Sequence, residues 1–286
     1  MASTIDIRRR IRSTKNMQQL TKAMKMVSAA KLRRAQERIF AARPYAAALR
    51  EVLSSVATRV EDEVTHPLLQ SHENERHVLL VVITADRGLC GAFNSNILRA
   101  AMNAIRDRGW ESITVLPIGR KAMDFFKRRP FPVRHSAQLM QALSQEESHV
   151  IAQKLVEDFT TEKADAVYVI YNEYKSIISQ IVRVERLLPI ERAWDEQGTA
   201  VDYLYEPGPV QILSELLPKH VEYQLYRTLL ESAAAEQGAR MTAMEAATKN
   251  ASDMISHLTL TYNRIRQAAI TKEIIEIVSG AAAAEG

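Results

Sequence analysis

The two ends of the chain share a pattern in which apolar residues recur at alternating steps of three and four. This spacing is the heptad signature of a coiled coil and predicts two long helices that pair through apolar seams. The N-terminal seam is Leu32, Ala35, Ile39, Ala42, Ala46, Leu49, Leu53, Val56 and Val60. The C-terminal seam is Met244, Ala247, Ala251, Met254, Leu258, Thr261, Ile265 and Ala268.

A second apolar stripe lies upstream of the N-terminal seam and is out of step with it. Its members are Met17, Leu20, Met24 and Val27. The offset predicts a local change of supercoil phase between residues 27 and 32. Pro44 lies inside the seam and removes one backbone hydrogen bond, so it is expected to bend the helix without ending it.

Proline and glycine mark where the long helices begin and end. His66-Pro67 is the expected stop of the first helix, and Pro209 the expected start of the last one. Pro218 is a candidate kink or restart, and Gly280 a candidate terminator. The chain thus divides into an N-terminal shaft helix (1–66), a central domain (67–208) and a C-terminal shaft helix (209–286).

The central residues alternate between strand and helix patterns. The run from His77 to Thr84 is continuously apolar, as in a strand buried on both faces. Helices are expected at 94–108, 119–129 and 144–162, and further strands at 113–116, 166–171 and 177–188. The alternation predicts a Rossmann-like, mainly parallel α/β domain. Because the chain enters and leaves this domain by long helices, the helices are expected to run antiparallel as a coiled coil.

Charge is distributed unevenly. Residues 1–60 carry fourteen Lys and Arg against three acidic residues, although the net charge of the whole chain is only +4. Such a basic end predicts an acidic partner surface, a nucleic acid or a membrane face, unless it is simply a solvated helix face. The Arg-rich segment 1–34 resembles a mitochondrial transit peptide, but its helical pattern continues into the seam, which argues against removal.

No catalytic, cofactor or metal motif emerges. The chain lacks both the GxxxxGK(S/T) and the GxGxxG phosphate-binding patterns. The segment Asp86–Gly91 could open an anion site or serve as a tight strand-to-helix turn, and the turn is preferred. The single cysteine, Cys90, excludes an internal disulfide and is more simply a buried apolar residue than a nucleophile. We therefore expect a partner-binding role without catalysis.

Four segments together resemble the gamma subunit family of F-type ATP synthases. They are Ile11–Arg34, Arg43-Pro44-Tyr45, Asp86–Asn94 and Arg266–Ala281. The resemblance extends from about residue 3 to 284, and the residue order of the last segment is highly specific.

The resemblance implies a non-catalytic rotor. In that family the shaft turns inside three alpha and three beta subunits, beside the epsilon subunit and on the membrane ring of c subunits. Proton flow turns the ring and shaft, and the shaft drives ATP synthesis at the beta subunits. The lack of a transit peptide would place the complex at the cytoplasmic face of a bacterial plasma membrane. The regulatory cysteine pair of chloroplast relatives is missing, which rules out that thiol control.

The resemblance also assigns contacts to individual residues. Those expected to touch the beta subunits are Arg266, Gln267, Thr271, Lys22, Met24 and Lys25, and those expected to touch the c ring are Tyr203, Tyr205 and Glu206. Two have simpler alternatives, since Met24 suits a coiled-coil core and Tyr203 suits a strand.

Two other functions remain open from the residues alone. A basic coiled coil could bind nucleic acid, although interleaved aromatic residues are missing. An α/β domain could also be a nucleotide-using enzyme built around Gly88 and Gly91.

Overall fold

The computed structural model describes residues 4–59, 66–70, 75–134, 144–190 and 208–285. Five α-helices and four strands follow one another along these ranges. They are α1 (Thr4–Arg59), β1 (His77–Ile83), α2 (Phe93–Asp107), β2 (Ser112–Ile118), α3 (Arg120–Phe126), α4 (Gln145–Thr160), β3 (Ala166–Tyr174), β4 (Gln180–Leu188) and α5 (Pro209–Glu285), with a short 3₁₀ helix at Pro67–Leu69. Every helix and strand predicted from the sequence is present. Their bounds differ by a few residues from those predicted, except that the residues just before the predicted stop of the first helix at His66-Pro67 lie outside the described ranges.

The chain forms two compact units. Unit 1 consists of Met1–Val27 and Met241–Gly286, and unit 2 consists of Ser28–Arg240. Each unit therefore contains part of α1 and part of α5. The three-segment division into 1–66, 67–208 and 209–286 follows the order of the chain and stays a prediction.

Unit 1 is an antiparallel helix pair. Lys25 Nζ lies 2.7 Å from Glu245 Oε1, and Arg8 donates to the Tyr262 hydroxyl at 2.5 Å. Arg8 lies seventeen residues before Lys25 on α1, whereas its partner Tyr262 lies seventeen residues after Glu245 on α5. Only antiparallel helices in constant register give this relation, which confirms the predicted orientation.

The predicted phase change in α1 is wrong. The least exposed positions keep one three-four rhythm from Ile7 to Val56: Ile7, Ile11, Thr14, Gln18, Thr21, Lys25, Ser28, Leu32, Ala35, Ile39, Ala42, Ala46, Leu49, Leu53 and Val56. Met17, Leu20 and Val27 are each more than half exposed. The seam residues from Thr14 to Ser28 are instead polar, and among them Thr21 Oγ1 accepts a hydrogen bond from Thr248 at 2.8 Å.

The seam of α5 also differs in detail. Ile255 takes the half-buried place predicted for Met254, which is 55% exposed, and Ala268 is exposed. Met254 Sδ still accepts a long hydrogen bond, at 3.9 Å, from Thr14 Oγ1. Gly280 does not end the helix, because α5 continues to Glu285. Pro44 and Pro218 both lie within continuous helices.

Unit 2 is built on a four-stranded sheet with strand order β2-β1-β3-β4. The strands β2, β1 and β3 are parallel, whereas β4 pairs antiparallel with β3. In β1, Leu79, Val81 and Ile83 face one apolar cluster, and the alternate residues face another. The central strand is therefore buried on both faces, as its apolar run predicted.

Helices cover both faces of this sheet. One cluster joins α4 to Leu49, Leu53 and Val56 of α1 and to the part of α5 from Leu213 to Leu229. The other joins α2 and α3 to the opposite face. Between β2 and α3, Gly119 has φ +89, and a side chain there would strike the backbone of Thr84. The mainly parallel α/β class predicted from the sequence is confirmed.

Candidate interaction surface

The loop Asp86–Gly91 follows β1, where a phosphate site was one of the two interpretations. Its backbone is shaped by left-handed conformations at Leu89 (φ 64) and Gly91 (φ 57). Asn94 Oδ1 accepts from Ala85 N at 2.9 Å and fixes the start of the loop on α2. The turn interpretation accounts for these contacts without a ligand.

The side chain of an arginine on α5 contacts the same loop. Arg240 donates to the carbonyl oxygens of Arg87 at 3.4 Å and Gly88 at 3.3 Å. These carbonyl groups are acceptors turned towards a cation, which is the opposite of what a phosphate requires. No pattern in the sequence marks Arg240, since its loop acceptors lie more than 150 residues away along the chain.

Cys90 lies in this loop and is 1% exposed. Burial raises the pKa of its thiol, an effect that Arg240 opposes and Glu236 reinforces. Asn94 Nδ2 donates to its sulfur at 3.2 Å. A thiol held in the protonated form inside a core is a poor nucleophile, so the structure favours the packing role.

The described part of the chain contains no group of three or more His, Cys, Asp or Glu placed to hold a metal ion. Among the described helices, none is both long and apolar enough to cross a membrane.

Unit 1 brings together most of the side chains expected to contact partners. Lys22 is exposed, while Met24 and Lys25 are half-buried. The ion pair between Lys25 and Glu245 satisfies that lysine within the chain, which leaves Lys22 more available to an acidic partner. Met24 is neither fully buried in the seam nor fully exposed. It could therefore contact a beta subunit or serve only as a packing residue of the coiled coil.

On α5 the residues expected to contact the beta subunit lie in a stretch that is exposed throughout. Arg266, Gln267 and Thr271 are all exposed. Thr271 Oγ1 donates to the Gln267 carbonyl oxygen at 3.0 Å within the helix. The guanidinium of Arg266 and the amide of Gln267 are therefore presented to solvent.

The terminal helices also expose large apolar side chains, which sequence analysis missed. We define the apolar face of α5 as Ile270, Ile274, Ile275, Ile277 and Val278, which are 45–72% exposed. On α1 the displaced stripe contributes Met17, Leu20 and Val27, with Met26 beside them at 62%. Scattered exposed apolar residues are ordinary, but a concentration of this kind marks a surface that another molecule covers. Apolar residues off the seam positions were the signal that could have revealed it.

The residues expected to contact the c ring, Tyr203, Tyr205 and Glu206, lie outside the described residues.

These features define a class of protein: an interaction subunit with paired terminal helices, an uncovered apolar face and a central α/β fold. A family model described as ATP synthase matches residues 3–284. The chain is 55% identical to the ATP synthase gamma chain of Solibacter usitatus and 50% identical to that of Bdellovibrio bacteriovorus, each over the full length of both chains. The chain belongs to the ATP synthase gamma chain family, as its resemblance to that family implied.

Solved structures agree with this assignment. A chain from the central stalk and c ring of the Tetrahymena thermophila mitochondrial ATP synthase has a TM-score of 0.61 at 28% identity, covering 80% of this chain and 99% of that one. A chain of the Euglena gracilis mitochondrial ATP synthase has a TM-score of 0.68 at 24% identity, covering 98% and 94%, and shows likeness of fold. Nothing in these relatives supports the nucleic-acid alternative.

Proposed function

We propose that the chain is the central rotor stalk of an F-type ATP synthase. It couples proton-driven rotation of a c ring to ATP synthesis or hydrolysis at the beta subunits, and it carries no catalytic site itself. The observation that carries the proposal is the apolar face of α5 in a chain that matches gamma chains from end to end. Such a face needs a partner that encloses it, and alpha and beta subunits supply one.

The exposed polar residues suit a different part of that contact. The fork of Arg266 can donate two parallel hydrogen bonds to a carboxylate or to backbone carbonyl groups. Gln267 adds a donor and an acceptor beside it. Hydrogen bonds from Arg266 and Gln267 to a beta subunit would hold the shaft at one orientation. The neighbouring apolar face makes no directional bonds and would let the shaft rotate against the surrounding subunits.

Chemical asymmetry around the helix pair explains how rotation could drive the beta subunits. The apolar face of α5 would bind apolar surfaces of a partner, whereas the basic side chains of α1 would bind acidic ones. Each orientation would therefore favour one conformation of a given beta subunit, and a tenfold preference needs only about 1.4 kcal/mol. Lys22 and Lys25 would face an acidic beta-subunit segment, where Lys25 would exchange its bond with Glu245 for one to the partner.

The same proposal extends to the assembly around the chain. Three alpha and three beta subunits would surround unit 1, and an epsilon subunit would bind the α/β fold. Tyr203, Tyr205 and Glu206 would touch the c ring. Because the most similar relatives named above are bacterial gamma chains, we place the complex at the cytoplasmic face of a plasma membrane as a peripheral subunit.

The proposal is tested by Arg266→Ala and Gln267→Ala in the assembled ATP synthase. Losing a hydrogen bond to a charged group costs about 1.5–3 kcal/mol, so we expect ATP synthesis to fall by about tenfold or more in Arg266→Ala. Arg264→Ala is the matched control, because Arg264 is also an exposed arginine and lies two residues away on the same helix. Arg266→Ala, Gln267→Ala and the control Arg264→Ala should all keep the helicity and the subunit composition of the native complex.

Equal ATP synthesis in the Arg266→Ala, Gln267→Ala and control complexes would contradict the proposed contact. Failure of the unmodified chain to assemble with alpha and beta subunits would contradict the function itself.

A further inference from the structure

Arg240, which contacts the loop Asp86–Gly91, lies at the boundary between the two units along α5. Arg240 is the last residue of unit 2 along α5, and Met241 is the first residue of unit 1. The helix is continuous through this point. Whatever holds Arg240 therefore fixes α5 where it leaves the α/β fold.

The helix α5 passes the edge of the sheet at which α/β folds commonly bind ligands. In open α/β sheets ligands bind at the carboxyl ends of the strands, where the chain moves to opposite sides of a central strand. Here that point lies between β1 and β3, because β2 and β3 flank β1 on opposite sides. Ala235 and Ala239 of α5 pack with the cluster on one face, whereas Leu229 belongs to the other. The helix thus takes the position that a ligand would occupy.

The turn that joins β3 to β4 also lies close to this part of α5. A side chain at Gly238 would lie 3.5 Å from the Ile177 carbonyl oxygen and 3.5 Å from the ring of Tyr174. Gly238 therefore sits in van der Waals reach of the turn that joins β3 to β4. Residues 238–240 lie between this turn and the loop after β1.

We propose that Arg240 is a positioning residue that pins α5 to the carbonyl groups of the loop Asp86–Gly91, and so passes the turning force between the α/β fold and the shaft. The proposal rests on the rotor function proposed above. In this proposal the loop has a mechanical role, because its carbonyl groups bind a side chain of the same polypeptide, Arg240, instead of a separate ligand.

The chemistry of the contact suits a fixed joint. The side chain of Arg240 is 11% exposed and that of Glu236 is 10% exposed, and their ion pair measures 2.6 Å. Burial raises the pKa of Glu236, whereas the neighbouring Arg240 lowers it. Because Glu236 lies one turn before Arg240 on the same helix, it orients the guanidinium through Nη1. The other nitrogen, Nη2, is then free to bridge both loop carbonyl groups.

Three variants test the joint in the full chain and in the assembled ATP synthase. Arg240→Ala removes it. Glu236→Gln combined with Arg240→Met removes both charges at similar volume, so that no buried carboxylate is left unpaired. Arg240→Lys keeps the charge but lacks the guanidinium fork. Lys249→Ala, at an exposed position further along α5, is the control.

Two measurements distinguish a positioning role from a merely structural one. Hydrogen exchange of the amides of residues 86–91 in the isolated chain should be at least about tenfold faster in the first two variants. In the assembled enzyme, proton pumping per ATP hydrolysed should fall in those variants while ATP hydrolysis itself continues. Arg240→Lys should recover part of both, and Lys249→Ala should resemble the native chain.

Unchanged exchange, or faster exchange with a native pumping ratio, would overturn the inference and leave the rotor function intact. A native chain that supports no pumping would instead contradict the proposed function.

Discussion

A matched pair of leucine truncations tests the seam of α1 most sharply. Leu53→Ala removes a side chain from the seam that sequence and structure agree upon. Leu20→Ala removes the same atoms from the displaced stripe. The two substitutions are chemically identical, so a difference in stability reflects the burial of each leucine and the unit in which it lies.

The structure sets the size of the difference. Leu53 is fully buried in the cluster that joins α1, α5 and the sheet, so its truncation should cost about 2–5 kcal/mol, the usual range for a buried leucine. Leu20 is 56% exposed, and its truncation in the isolated chain should cost about 0.5 kcal/mol or less. In the assembled enzyme Leu20→Ala could still matter, because a partner would cover that face.

The assay is urea unfolding of the isolated chain, followed by both helical circular dichroism and tryptophan fluorescence. Circular dichroism reports all the helices, whereas Trp110 lies in unit 2, 5.1 Å from the ring of Tyr168. Two signals are needed because a chain with two units need not unfold in one transition. A similar loss of stability in both variants would refute the continuous seam and restore the phase change.

Three further predictions concern groups away from that seam. The thiol of Cys90 should react with a thiol reagent at pH 8 only after unfolding, because burial raises its pKa; rapid reaction in the folded chain would contradict this. Burial also raises the pKa of Tyr171, whose hydroxyl donates to Glu185 at 2.8 Å, so this residue should favour folding below about pH 10 and cease to do so as it ionises at higher pH. Tyr171→Phe should flatten the loss of stability above pH 10. Glu245→Gln should cost less than about 1 kcal/mol in thermal unfolding, because its ion pair with Lys25 is exposed; a larger loss would show that unit 1 depends on it.

Periodicity predicted the helices well and their polar seam poorly. Apolar residues at three-four spacing fixed the seam from Leu32 onwards, and those positions are buried or half-buried where described. Between residues 14 and 28 the seam positions are all polar, namely Thr14, Gln18, Thr21, Lys25 and Ser28, and no hydrophobic pattern could mark them. Thr14 donates to Met254 Sδ and Thr21 accepts from Thr248 across the pair, while the apolar residues beside them, Met17, Leu20 and Val27, are exposed.

The candidate contacts were predictable only through family resemblance. Nothing in the local pattern distinguishes Arg266 from other exposed arginines of α5, because its role depends on a partner. Arg240 was out of reach for a different reason: its acceptors are backbone carbonyl groups more than 150 residues away, and carbonyl groups leave no trace in a sequence.

The central claim, that this chain is a rotor, is tested most directly by observing its rotation. Cys90 is the only cysteine and is buried, so an exposed position such as Arg128→Cys would carry a single attached probe. The labelled chain would be assembled with alpha and beta subunits immobilised on a surface, and the chain alone should hydrolyse no ATP. We predict that added ATP drives continuous rotation of the probe in one direction. A complex that hydrolyses ATP while the probe stays still would contradict the account.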